Sequence, residues 1–193
     1  MKCIGIDPSF KGMGIAIIDK DKKEIRLNEL SVELNGGKFR NIAESSAEMT
    51  AQVLAHHKED LEGDVLIAME QPPTTGFYTE KLWALDTTLY RCLPVKPFMF
   101  PVAYLTYLHE KRNSKDDTMA LMEQVLEIFR ANNYIINNTE KKMTSNQADA
   151  LLYAVRMYLR SEQMTEEGLT DIGQAIVELK NRYKDFREEE YNA

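Results

Sequence analysis

The sequence predicts an α/β domain: a mixed sheet, made of a three-stranded antiparallel meander plus parallel strands, flanked by helices and followed by an additional C-terminal helix. Two observations carry most of that expectation. Alternating apolar stretches at Lys2 to Asp7, Gly14 to Asp19 and Ile25 to Leu34 are separated by the polar turns Pro8 to Met13 and Asp19 to Glu24, which is the pattern of strands joined in a meander. The run Val65-Leu66-Ile67-Ala68-Met69 is then continuously apolar, ends at Glu70 and is stopped by Pro72-Pro73. A strand with no polar face is buried on both sides, so this one belongs in the middle of the sheet.

The remaining elements follow in order. From Phe39 to Leu61 the period changes, with Ile42, Met49, Val53 and Leu54 at helical spacing. A loop rich in Thr, Gly and aromatics leads to a helix over Thr79 to Cys92, a short strand within Pro94 to Val102, and an amphipathic helix over Lys115 to Asn132. The last core helix, Ser145 to Arg160, opens on a serine suited to N-capping and lines up Ala148, Leu151, Leu152, Val155 and Leu159 on one side. Beyond a polar break at Thr165 to Thr170, Ile172, Ile176, Leu179, Tyr183 and Phe186 recur every three or four residues. The chain thus divides into a domain over 1–160 and an acidic amphipathic helical extension over 161–193. Packing on its own domain is the default for the extension, with a dimer interface or a protein partner as the open alternatives; its stripe is too short for a coiled coil.

Length and composition bound the function. A chain of 193 residues fits one domain with a short appendage. The early apolar run is interrupted by Asp7 and is too short for a signal peptide or a bilayer span, so a soluble, cytoplasmic protein with no membrane partner is expected. Cys3 and Cys92 match no zinc spacing and read as reduced core thiols. His56 and His57 cannot share one helix face, and His109 has no partner in sequence, so none is assigned as a ligand. The net charge of −7 weighs against nucleic acid, but residues 161–193 hold nine acids and four bases, leaving only −2 on residues 1–160. Local basic clusters at Lys11, at Lys111-Arg112 with Lys115, and at Lys141-Lys142 are compatible with phosphate binding; scattered lysines on any soluble surface look the same.

Three acids stand at the ends or inward faces of otherwise apolar elements: Asp7, Glu70 and Asp149. A charge in such a setting costs several kcal/mol unless it is paired or binds metal. Taken singly, Asp7 and Glu70 also read as strand terminators and Asp149 as a residue that complements a helix dipole. Taken together, they have the composition that two-metal phosphodiester cleavage needs, since hard divalent cations prefer oxygen ligands.

The local sequences add a resemblance. Gly5-Ile6-Asp7-Pro8-Ser9 followed by Gly12-Met13-Gly14-Ile15-Ala16, then Ala68-Met69-Glu70-Gln71, then Asn146-Gln147-Ala148-Asp149-Ala150-Leu151 resemble, in that order, the three motifs of RuvC-type Holliday-junction resolvases. The resemblance covers residues 1 to about 160 and implies an RNase H-like fold. It further implies a structure-selective endonuclease of bacteriophage or bacterial type, using Mg²⁺ or Mn²⁺, two ions per site, to cleave four-way or branched DNA in recombination and repair. It makes Asp7 the bridging metal ligand, with Glu70 and Asp149 the second and third. The family has an acid where this chain has Asn146, which brings an amide oxygen to the site and no charge.

In the family an aromatic in the loop after the second motif enters the junction, and Phe77 or Tyr78 stands at that place here; the same rings equally suit a tucked surface loop. Lys111, Arg112 and Lys115 match the family's lysines before the third motif, and Lys11 lies near Asp7; a solvated turn is the alternative for all four. A homodimer is implied, because two symmetric strands must be cut. Two competing readings remain. One is a small-molecule kinase or ATPase of the actin-like fold, whose members usually need two such domains where this chain has room for one. The other is a catalytically weakened DNA-binding protein that retains the fold, which Asn146 and the acidic charge would suit.

Overall fold

The computed structural model describes residues 1–32, 42–72, 79–101, 115–165 and 168–192, with side chains for all of these except 101, 115–117 and 183–192. In chain order the elements are β1 (Lys2–Asp7), β2 (Met13–Asp19), β3 (Glu24–Leu30), α1 (Ile42–His56), β4 (Val65–Gln71), α2 (Thr79–Cys92), β5 (Phe98–Pro101), α3 (Lys115–Ala131), β6 (Ile135–Asn138), α4 (Ser145–Gln163) and α5 (Asp171–Asn192). The six strands form one sheet in the order β5-β4-β1-β2-β3-β6. β1, β2 and β3 are the antiparallel meander, while β4 runs parallel to β1, β5 to β4 and β6 to β3. The mixed sheet with flanking helices is the one the sequence predicts.

Strand alternation sorts the core into two layers. Cys3, Ala16, Ile18, Ile25, Leu27 and Ala68 face the layer formed with α3, α4 and α5, where Leu126, Phe129, Leu151 and Tyr153 are buried. Ile4, Ile6, Ile15, Ile17, Ile67 and Met69 face the opposite layer, against Met49 and Val53 of α1 and Leu85 and Leu89 of α2. Each buried Ile, Leu, Val, Met or Phe among them contributes about 1.5–3 kcal/mol by leaving water. A one-residue slip would turn a whole strand's set to the wrong layer, which pins the register. Ile172, Ile176 and Leu179 of α5 join the first layer, so the acidic extension lies against α3 and α4.

Four details depart from expectation. β6 is an added strand: α3 ends through Asn133 in the left-handed conformation (φ 66°), and Ile135 N–H then donates to the Lys23 carbonyl at 2.9 Å. β3 closes at Leu30, short of Leu34. α4 is capped by Thr144 rather than Ser145, because Gln147 completes a capping box: Gln147 N–H donates to Thr144 Oγ1 at 3.2 Å and Thr144 N–H to Gln147 Oε1 at 3.0 Å. Cys3 is buried, but Cys92 is exposed at the end of α2.

On the sheet's far side a part-buried ion pair ties β3 to the turn after α1. Arg26 grips Asp60 with both terminal guanidinium nitrogens, one at 3.0 Å, and His57 Nδ1 lies 3.4 Å from the same carboxylate. Burial alone would raise the Asp60 pKa, but the His57 and Arg26 hydrogen bonds outweigh it and hold the carboxyl well below the usual range. A depressed carboxylate contributes stability that is fully present above its unfolded pKa near 3.9 and is lost as pH falls through the folded value. Asp60→Asn is therefore expected to cost about 2–3 kcal/mol at pH 7 and to lower the melting temperature by about 4–12 °C. Below pH 4 the wild type should lose stability more steeply than the variant. Thermal melts from pH 3 to pH 7 check both; parallel curves would discard this account of the pair.

Candidate active site

β1 and β4 run side by side in parallel, with Ile6 paired to Met69, so one step further along Asp7 stands beside Glu70. Across the sheet Asp7 pairs with Gly14, and Gly14 with Glu29. Side chains in one row share a face, and two-residue alternation from Cys3, Ala68 and Leu27 puts Asp7, Glu70 and Glu29 on the face covered by α4.

α4 reaches that row because two glycines let it approach the sheet. A Cβ on Gly5 would fall on the Ala150 carbonyl oxygen and lie 2.5 Å from the Ala154 nitrogen; one on Gly14 would fall on the Asn146 carbonyl oxygen, 3.0 Å from the Gln147 nitrogen. The first turns of α4 therefore rest on β1 and β2. Asp149 lies between these two points of contact, one turn from Asn146 and on the same helix face. Asp7, Glu70, Asn146 and Asp149 are all half-buried.

Tyr153 stands one turn beyond Asp149 on α4. Its hydroxyl is fully buried and has no hydrogen-bond partner. Burial raises its pKa first, and the negative charges of Glu70, Asp7 and Asp149 raise it further. Among the described residues, no group of three or more His, Cys, Asp or Glu side chains stands at ion-holding spacing. Gathering the three around one cation thus depends on rotation of side chains whose backbones already neighbour one another. The donor set is all oxygen, which fits hard divalent cations.

A fourth carboxyl adjoins the row. Asp86 of α2 is 4% exposed, its Oδ1 is unpaired, and it lines with Pro8, Glu70, Pro72 and Leu82 a cleft of about 20 Å³, roomy enough for about one water. Burial, and then the charge of Glu70, push its pKa up to about 8. A larger apolar groove of about 360 Å³ lies between α3, α4 and α5, lined by none of the candidate acids.

Of the anticipated DNA contacts, Lys11 is exposed in the turn between β1 and β2. Lys115 opens α3, but its side chain lies outside the described residues, as do Phe77, Tyr78, Lys111 and Arg112 altogether. Sequence reasoning missed Glu29, Asp86 and Tyr153. Glu29 carried a signal, since it continues the Ile25, Leu27 alternation, and so did Asp86, spaced with Leu82, Leu85 and Leu89 on the apolar face of α2.

Neither a protein-family profile nor a curated protein matches the sequence. Among solved structures, Thermus thermophilus RuvC matches with a TM-score of 0.55 at 15% identity, over 83% of this chain and 96% of that one. The same protein's RuvC complex with a Holliday junction substrate matches with a TM-score of 0.54 at 15% identity and the same coverage. The fold is RNase H-like. A human cytomegalovirus terminase nuclease domain also matches at 14% identity over 86% of this chain and 84% of that one, but its TM-score of 0.39 adds no weight. The RNase H-like likeness concerns the path of the backbone; at such identity it leaves the chemistry to be argued from the residues. No helix among the described residues is long and apolar enough to cross a membrane.

Proposed function

We propose that this chain is a structure-selective, metal-dependent endonuclease that cleaves four-way or other branched DNA by two-metal phosphodiester hydrolysis. The observation that supports it is the row at the end of the sheet: Asp7 and Glu70 on adjacent parallel strands, under the turn of α4 that carries Asp149. Bound Mg²⁺ or Mn²⁺ supplies Lewis acidity and a water of lowered pKa. The protein's part is to hold those ions. Asp7 sits between Glu70 and the α4 turn and is assigned the bridging role, Glu70 and Asp149 flank it, and Asn146 offers a neutral oxygen.

Substrate selection is assigned to Lys11, Lys111, Arg112 and Lys115 as backbone phosphate contacts and to Phe77 or Tyr78 as the ring that stacks at the branch point. Action as a homodimer, in the cytoplasm of a bacterial or phage-infected cell, belongs to the same proposal, as does a nuclease domain over 1–160 with 161–193 as an extension.

The test is incubation with Mg²⁺ and end-labelled four-way junction, replication fork and linear duplex, with a chelator control. Paired, symmetric nicks in the junction, abolished by EDTA, are expected. Equal cutting of linear duplex removes the structure selectivity. Tight junction binding without cutting in either metal favours a weakened binding protein, the reading that the neutral Asn146 suits.

A further inference from the structure

Asn146, the neutral residue of the candidate site, lies against a carboxylate from elsewhere in the chain. Glu29 ends the alternating face of β3, in the same cross-sheet row as Asp7 and separated from it by Gly14. Above Gly14 lies the backbone of Asn146. The Asn146 side chain turns to Glu29: its Nδ2 donates to Glu29 Oε1 at 3.4 Å, while the other carboxylate oxygen accepts from the Thr144 hydroxyl. The carboxylate and the amide meet over Gly12, where a Cβ would lie 2.7 Å from Asn146 Nδ2 and would collide with Glu29. Glu29 thus reaches α4 twice, at its cap and at the residue one turn before Asp149.

An ionised carboxylate only accepts hydrogen bonds, whereas an amide offers a donor on one side and an acceptor on the other. With its nitrogen committed to Glu29, Asn146 has its oxygen left to offer on the opposite side. An unconstrained amide at a cation site presents its NH₂ group as readily as its oxygen, and the NH₂ group is of no use to a cation. The carboxylate also brings a negative charge beside the neutral amide.

Resting on the metal-dependent nuclease reading, we infer that Glu29 is a positioning residue of this site. It fixes the Asn146 amide so that its oxygen faces a divalent cation.

The test uses the full-length protein with Mn²⁺ as the probe, free ion being counted by electron paramagnetic resonance and folding followed by thermal melting. Glu29→Gln keeps an acceptor for Thr144 but frees the Asn146 amide to turn, and is expected to weaken Mn²⁺ binding about 10–100-fold, the usual cost of losing a partner that orients a ligand. Adding Asn146→Asp to that variant is expected to restore affinity. Where Glu29→Gln melts early, Glu29→Asp serves in its place: it keeps the charge but draws it one methylene back from the amide, and it carries the same expectation of weakened binding. Wild-type affinity in a folded Glu29 variant overturns the inference, and so does a loss that Asn146→Asp fails to repair. Asp7→Asn separates this from the broader reading: if it too binds Mn²⁺ as the wild type does, the metal site itself is wrong, whereas if it alone loses the ion, only the role of Glu29 is.

Discussion

On the proposed metal-dependent mechanism, Asp7→Asn is expected to slow Mg²⁺-dependent cleavage of a four-way junction by about 10³-fold or more, because losing a charged ligand would cost several kcal/mol of transition-state stabilisation. The substitution is nearly isosteric, and Asp7 ends its strand, so the packing of Ile4 and Ile6 below it has no reason to change. The melting temperature without metal should therefore hold while activity disappears. Single-turnover cleavage, paired with gel-shift binding in EDTA, separates the two effects. Retained binding with lost cleavage is the expected result, and an Asp7→Asn protein that cuts at the wild-type rate would end the hydrolytic proposal.

The second large effect is mechanical. Gly5→Ala places a methyl on the Ala150 carbonyl oxygen, 2.5 Å from the Ala154 nitrogen and 2.9 Å from the Tyr153 Cβ. Two of those neighbours are helix backbone, which has no rotamer to yield, so α4 must lift from β1. The expected cost is about 3 kcal/mol, the upper end for overpacking, or about 6–12 °C in melting temperature. Activity should fall further than stability, by about 10²-fold at temperatures where the protein is still folded, since a displacement near 1 Å suffices for that loss and α4 carries Asp149. Gly63→Ala provides the control. Gly63 has φ +86° with nothing near its missing side chain, so the cost there is backbone strain of about 1–2 kcal/mol with catalysis intact. Equal activity losses in the two variants would show that close seating of α4 is irrelevant to the site.

The sheet was legible where strands are half or fully buried, because burial imposes alternation or a continuous apolar run on β1, β2, β3 and β4. It was not legible at β6, a four-residue edge strand whose Ile135 is 63% exposed; its place is set by backbone hydrogen bonds to β3, which leave no mark on side-chain choice. The cap of α4 was misplaced by one residue between adjacent hydroxyls. The deciding signal was Gln147, three residues after Thr144, which a capping box requires. The apolar neighbours of Cys92 in sequence do not report its own environment, which is the exposed last turn of α2.

The candidate acids were visible one at a time, as charges breaking apolar elements. What the sequence could not display is their mutual placement, which depends on the Ile6 to Met69 pairing and on two glycines admitting a helix. Asp86 and Glu29 were passed over for a related reason: each lies within the periodicity of its own element, and each matters only through a neighbour contributed by a distant segment.

The seating of α4 on Gly5 and Gly14 has a temporal consequence. Synthesis proceeds from the N-terminus, so the ribosome releases β1 and β4 long before it makes the helix that closes over them. A nascent chain holds Asp7 and Glu70 with nothing above them, and any cutting power stays latent until the residues around 150 have emerged and docked.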